Sequence, residues 1–253
     1  MIPQFFVKSS GEQINYNKFD YVPGASMIFD WGNPESYPPG QGAGGTTYNS
    51  AIYPAGEPNG VFETGGGIAA SMWSSAYTGS IQFNASNGLN VEFSTSFPTG
   101  AMSVVSVYRP DEFQTGSIIG MQNNNGLNLV VGGASRIVTP TIYYGASGDT
   151  SATLSCNVTM GTDWNIVTFT TNGLNSHKMY LNGNTTSPST DTNTYNRSLY
   201  TPSEVSTKIG KNALSNNYLN GIMMAYLVYP FELTPKQIKR NWYVFRQRLT
   251  QFP

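Results

Sequence analysis

The chain has 253 residues, enough for one large β domain with a sizeable core. Only 11% of residues are charged, while Asn, Ser and Thr together reach roughly 30%, so amides and hydroxyls carry the solubility. Thirteen Lys and Arg against fourteen Asp and Glu exclude a broad electrostatic footprint for nucleic acid or an anionic membrane, and an aromatic content of 13% excludes a disordered chain.

Residues 1–24 are expected to be an N-terminal arm. Its start, MIPQFFVKSSGEQINYNKFD, has no basic stretch followed by an apolar run, so no signal peptide is expected. No run of about twenty apolar residues could cross a bilayer as a helix. Ile2, Phe5 and Phe6 are candidate contacts to a neighbouring subunit. Residues 25–253 are expected to form a single domain. It opens with the strand MIFD and continues through a Gly- and Pro-rich segment (YPPGQGAGG, YPAGEPNG, TGGG) that should lie as loops over the rest.

From residue 80 onward, short alternating or apolar runs recur about every ten residues between turn signals, the pattern of a β-sandwich or barrel. Strands are predicted at 80–83, 89–93, 102–108, 117–121, 127–131, 141–144, 153–157, 164–170, 178–181 and 222–229. MSVVSVY and IMMAYLVY are apolar on both faces and should be central. Asn87-Gly88, Asn125-Gly126, Asn172-Gly173 and Asn182-Gly183 can supply the positive φ that tight hairpin turns require.

The period changes after residue 233. Thr234 can cap a helix, Pro235 suits its first position and Gln237 completes a capping box. Ile238, Trp242, Phe245 and Leu249 then share one face, so a helix over 235–249 should dock on the sandwich. Lys236, Lys239, Arg240, Arg246 and Arg248 fall on other faces and are expected to be solvated. Arg246 and Arg248 are the candidates for contact with an acidic neighbouring subunit.

Little chemistry is nominated. Gly40 to Gly45 matches G-x-G-x-x-G literally, but Tyr37-Pro38-Pro39 precedes it and Thr46-Thr47-Tyr48 follows; a dinucleotide site needs a strand before the motif and a helix after it. His177 and Cys156 are single residues of their kinds, too few for zinc or for a conventional nucleophile and base pair. Cys156 reads as a buried, inert thiol. Glycoside hydrolysis needs two facing carboxylates, whereas Glu63 and Glu92 are isolated and Asp111-Glu112 are adjacent, so no catalytic residue is nominated. No cofactor is expected. Calcium stays open without nominated ligands. Sugar rings stack on aromatic faces beside amide donors, and Trp31, Tyr37, Tyr48, Trp73 and Tyr77 are the candidate glycan-binding residues. Trp164 and Trp242 read as core.

The second half carries a combination that resembles a known family. Residues 164–170 (WNIVTFT), Asn172-Gly173 and residues 178–183 (KMYLNG) look like a Trp-bearing strand followed by a hairpin. Lys208-Ile209-Gly210, residues 219–229 (LNGIMMAYLVY) and LTPKQI at 233–238 look like its closing strand and helix. With DWGNPESYP at 30–38, TTY at 46–48 and GSIQF at 79–83, the chain over residues 27–250 resembles the concanavalin A-like, laminin-G-like domains of tailed-bacteriophage virion proteins. The resemblance implies an all-β antiparallel jelly-roll sandwich with one C-terminal helix. It also implies a non-enzymatic structural protein of the virion, a capsid decoration or a tail appendage. The expected partners are other virion proteins and further copies of itself, made in the host cytoplasm. A glycan-binding module that attaches the particle to the host surface is the alternative.

Overall fold

In the computed structural model the described residues are 20–33, 36–37, 47–48, 59–62, 73–74, 79–84, 89–92, 100–111, 116–121, 127–144, 150–194, 206–210 and 219–251. They form two antiparallel sheets and a C-terminal helix. The first sheet runs in the order β15 (Ser189–Asp191), β14 (His177–Leu181), β13 (Asn165–Thr171), β7 (Met102–Pro110), β17 (Asn220–Tyr229), β5 (Ser80–Asn84) and β4 (Trp73–Ser74). β1 (Met27–Asp30) pairs with the second half of β17, whose first half pairs with β5. The second sheet runs β11 (Thr150–Thr153), β10 (Ile137–Tyr144), β9 (Leu127–Val131), β8 (Gly116–Met121), β16 (Ser206–Ile209), β6 (Leu89–Glu92), β3 (Asn59–Phe62) and β2 (Thr47–Tyr48), with β12 (Val158–Thr159) also on β10. Strands distant in sequence lie side by side, as β7 with β17 and β6 with β16, which makes this the antiparallel jelly-roll sandwich the sequence implied.

The central strands are apolar on both faces because the first sheet is covered twice. In β7, Met102, Val104 and Tyr108 enter the core between the sheets. Val105 and Val107 enter a second core beneath the helix, as side chains of period two must. Tyr226 and Val228 of β17 face the first core, and Leu227 and Tyr229 the second. A register shift between Met223 and Ala225 puts Met224 and Ala225 both on the helix side, as a bulge does.

Helix α1 (Pro235–Gln251) begins where the capping signals place it. The Thr234 N–H donates to Gln237 Oε1 at 2.8 Å, and the Gln237 N–H donates to Thr234 Oγ1 at 3.4 Å. Ile238 and Phe245 are buried, with Trp242 and Leu249 packed partly against them. Asn241 ties the helix down: its Nδ2 donates to Tyr229 Oη at 3.0 Å and its Oδ1 accepts from Val22 N at 2.9 Å. Tyr21 and Val22 belong to this second core, so the last residues of the segment expected to be an arm pack into the domain. Arg240 is also paired, to Asp20.

The strand predicted at 153–157 lies earlier, at Thr150–Thr153. Leu154 and Cys156 are buried while Ser155 and Asn157 are exposed, so the alternation is real. The ladder is not: the Ser155 N–H bonds the Asp191 carboxylate at 2.7 Å and the Asn157 N–H bonds Ser189 Oγ at 2.9 Å. Of the Asn-Gly pairs, Asn182-Gly183 forms a tight turn with φ of 50° and 69°, closed by the Asn184 N–H on Leu181 O at 3.0 Å. Asn172 belongs to a longer loop, its Oδ1 accepting from the N–H groups of Leu174, Asn175 and Ser176. The other two pairs lie outside the described residues.

Candidate functional site

A cleft of about 420 Å³ opens where α1 crosses the start of β13 and the turn after β14. The turn positions it. The backbone N–H of Asn182 donates to Ile166 O at 2.9 Å, and its Oδ1 accepts from Ile166 N, also at 2.9 Å. One asparagine thus completes the end of β13 from both sides, and its Nδ2 is the part of the amide left to meet a ligand. Gly183 lets the turn approach the helix: a Cβ there would sit 2.6 Å from Cγ of Trp242. The indole of Trp242 therefore lies against bare backbone.

Trp164 and Trp242, both half-buried, line the cleft together with Asp163, Asn182, Arg246 and Leu249. Asp163 and Asn182 are exposed. The backbone carbonyl of Asp163 accepts from Asn165 Nδ2 at 2.6 Å, and Asn165 Oδ1 accepts from Gly161 N at 2.9 Å, so a buried amide fixes the loop that presents the carboxylate. Arg246 follows Trp242 by one helical turn, which stacks positions i and i+4 on one face; its guanidinium carbon is 4.8 Å from the Trp242 ring centroid. On Trp164 the corresponding cation is Arg109, at 5.8 Å. Apolar indole walls beside a carboxylate, an amide and a guanidinium suit a polyhydroxylated ligand with apolar C–H faces.

The glycan-binding residues expected from sequence are placed elsewhere. Trp31 is 1% exposed and Tyr37 5%; both belong to the core between the sheets, so neither offers a face to a sugar. That corrects the expectation, and the physical reason is that the strand leading into them, β1, is a buried member of the first sheet. Tyr48 and Trp73 fall in β2 and β4, which end the two strand orders. Tyr77, Glu63 and the arm residues Ile2, Phe5 and Phe6 lie outside the described residues. Glu92 closes β6.

Arg248 requires a second correction. It was expected on a solvated face as a partner contact, yet it is fully buried. Nη1 donates to Asp30 Oδ2 at 2.6 Å and Nη2 to Oδ1 at 2.9 Å. Arg246 remains exposed. The two tryptophans that read as core do pack against the second core, half-buried, and their remaining surface lines the cleft. Their signal was present in sequence: Trp242 and Arg246 at helical spacing, and the Asn182-Gly183 turn after β14, the hairpin partner of the strand that Trp164 introduces.

His177 and Cys156 are both buried. Thr171 Oγ1 and His177 Nδ1 lie 2.9 Å apart. Burial pushes the Cys156 thiol up to about 12, the Asp191 charge adding to it. No group of three or more His, Cys, Asp or Glu is arranged to hold a metal among the described residues.

No curated protein sequence matches the chain. Among solved structures, domain 4 of AbnA, a GH43 extracellular arabinanase from Geobacillus stearothermophilus determined in complex with arabinotriose, superposes with a TM-score of 0.60 at 17% identity, over 85% of this chain and 96% of that one. The receptor-binding domain of botulinum neurotoxin type G gives 0.59 at 13% identity, over 87% of this chain and 51% of that one. A third structure, from work on botulinum neurotoxin type C entry through two ganglioside molecules, gives 0.51 at 15%, over 89% of this chain and 51% of that one. At such identities the likeness is one of fold. Residues 83–239 match the sequence profile of the concanavalin A-like lectin/glucanases superfamily, and with more than half its length matched the chain belongs to that superfamily.

Proposed function

We propose that the chain is a non-catalytic glycan-binding module whose binding site is the cleft between α1, the start of β13 and the turn after β14. The observation that carries this reading is the convergence of Trp164, Trp242, Asp163 and Asn182 on one opening. The indoles give the cleft apolar surface for the C–H groups of a sugar, and the carboxylate and amide can pair with its hydroxyls. The likeness to an arabinanase domain bound to arabinotriose and to a toxin receptor-binding domain supports it. One carboxylate, Asp163, lines the cleft among the described residues, whereas hydrolysis employs two across the scissile bond.

Titration of intrinsic tryptophan fluorescence with a panel of neutral and acidic oligosaccharides tests this. Trp164→Ala and Asp163→Asn are each expected to weaken binding by about tenfold, the scale of one lost stacking or hydrogen-bonding contact. Binding that survives both changes, in variants with unaltered circular dichroism, would overturn the assignment.

The setting we infer is an attachment role on a phage particle, supported by the resemblance of residues 27–250 to virion domains. Quantitative mass spectrometry of purified particles tests it. A handful of copies per particle is expected for an appendage, a fixed ratio to the major capsid subunit would indicate a lattice decoration, and absence of the chain removes the reading.

A further inference from the structure

We infer that the cleft selects a glycan bearing a carboxylate, with Arg246 as the group that reads it; this rests on the glycan-binding reading above. Helix α1 has no Asp or Glu, and its five cations divide into two kinds. Arg240 and Arg248 find carboxylates, Asp20 and Asp30. Arg246 forms no ion pair among the described residues; it lies over Trp242 at 4.8 Å, exposed at the rim of the cleft. Arg109, the cation over Trp164, differs in having Asp111 at 3.6 Å.

The ring beneath Arg246 holds the guanidinium by its face and leaves the N–H edge for an acceptor, and that edge matches a carboxylate with two parallel hydrogen bonds. Asp163 repels a carboxylate at its own side of the cleft and accepts hydroxyl donors there. A sugar acid therefore has one orientation in which the ring lies along the indoles, hydroxyls meet Asp163 and Asn182, and the acid meets Arg246. Uronic acids and sialic acids share the required chemistry.

Calorimetric titration of the whole chain with two matched pairs tests the inference: trigalacturonic acid against its methyl ester, and sialyllactose against its methyl ester. The expected result is at least one acid bound about tenfold tighter than its neutral partner, as a charge-assisted bidentate contact supplies. Arg246→Gln should bring the two affinities together, while Lys239→Gln, on the same helix outside the cleft, should keep the ratio. The pair that shows the preference identifies the source of the carboxylate. Acid and neutral forms bound alike would overturn the inference and leave the glycan reading standing. So would a preference that persists in Arg246→Gln, or polyglutamate displacing the acid at equal affinity per carboxylate. Failure of every sugar to bind would remove both readings.

Discussion

Arg248 and Asp30, 218 positions apart in the chain, meet in a two-pronged ion pair with neither side chain exposed. Arg248 Nη1 also donates to Tyr21 Oη at 3.3 Å, and its guanidinium carbon lies 5.7 Å from the Phe245 ring centroid. Asp30 accepts a further hydrogen bond from Gly32 N at 3.0 Å. The pair joins the last turn of the helix to the end of β1, and so fixes the angle at which α1 crosses the sheet and walls the cleft.

Removing one partner leaves a buried charge without its counter-ion, which costs about 3 to 5 kcal/mol, whereas replacing both by apolar groups costs far less. Arg248→Met and Asp30→Leu are each expected to lower the urea midpoint steeply, and the double variant to recover much of the loss. Equal or additive losses in the double variant would show that the pair is not a coupled unit.

Gly183 ties the turn to the site. Its φ of 69° and the 2.6 Å from an added Cβ to Trp242 mean that Gly183→Ala must both strain the backbone and push the indole. A loss of about 1 to 2 kcal/mol is expected from the left-handed conformation alone, with weakened sugar binding beside it. Unfolding midpoints and the fluorescence titration check the two effects separately.

Acid should weaken the fold in two steps. Burial holds the His177 imidazole below its ordinary 6.5, with Asp191, a Leu174 backbone hydrogen bond and Glu232 pulling the other way. The unfolded chain therefore takes up this proton first, and stability falls as pH drops below about 6.5. Burial would raise the Asp191 carboxylate, but the N–H groups of Ser155 and Asn193 outweigh it and hold the group below its ordinary 3.8. Its contribution is present above that value and is lost as pH falls through the lower, folded one. Urea midpoints from pH 7 to 5 should decline in the parent chain and decline less in His177→Gln; parallel slopes would contradict the assignment to His177.

Cys156 should be silent in the folded protein. With no exposure and its thiol pushed up to about 12, almost no thiolate is available at pH 8. A thiol reagent is expected to label it only after denaturant is added. Stoichiometric labelling of the native chain within minutes would show that the core opens there.

How far the sequence reaches can be judged from Arg246 and Arg248. Spacing alone assigns both to the helix, and at 3.6 residues per turn they lie roughly 200° apart. Nothing local says which of them faces water, because the partner that draws Arg248 inward sits in β1. Trp31 is fully buried and Trp242 only half-buried for a related reason. A tryptophan in a Gly-rich segment looks like surface and one on the apolar face of a helix looks like core, but β1 carries the first into the sandwich and the Asn182-Gly183 turn leaves the second beside an opening.

Periodicity, turn residues and capping chemistry are local properties, so the sequence by itself determined the β class, most strands from residue 80 onward, the helix start at Thr234 and the burial of Cys156. The pairing of β1 with β17, the phase set by the bulge at Met224, the buried Arg248–Asp30 contact and the gathering of Asp163, Trp164, Asn182 and Trp242 around one cleft depend on contacts between segments up to about two hundred residues apart. Only the tertiary structure decided these, because which polar group is desolvated and which aromatic face stays open is settled by what the neighbouring element covers.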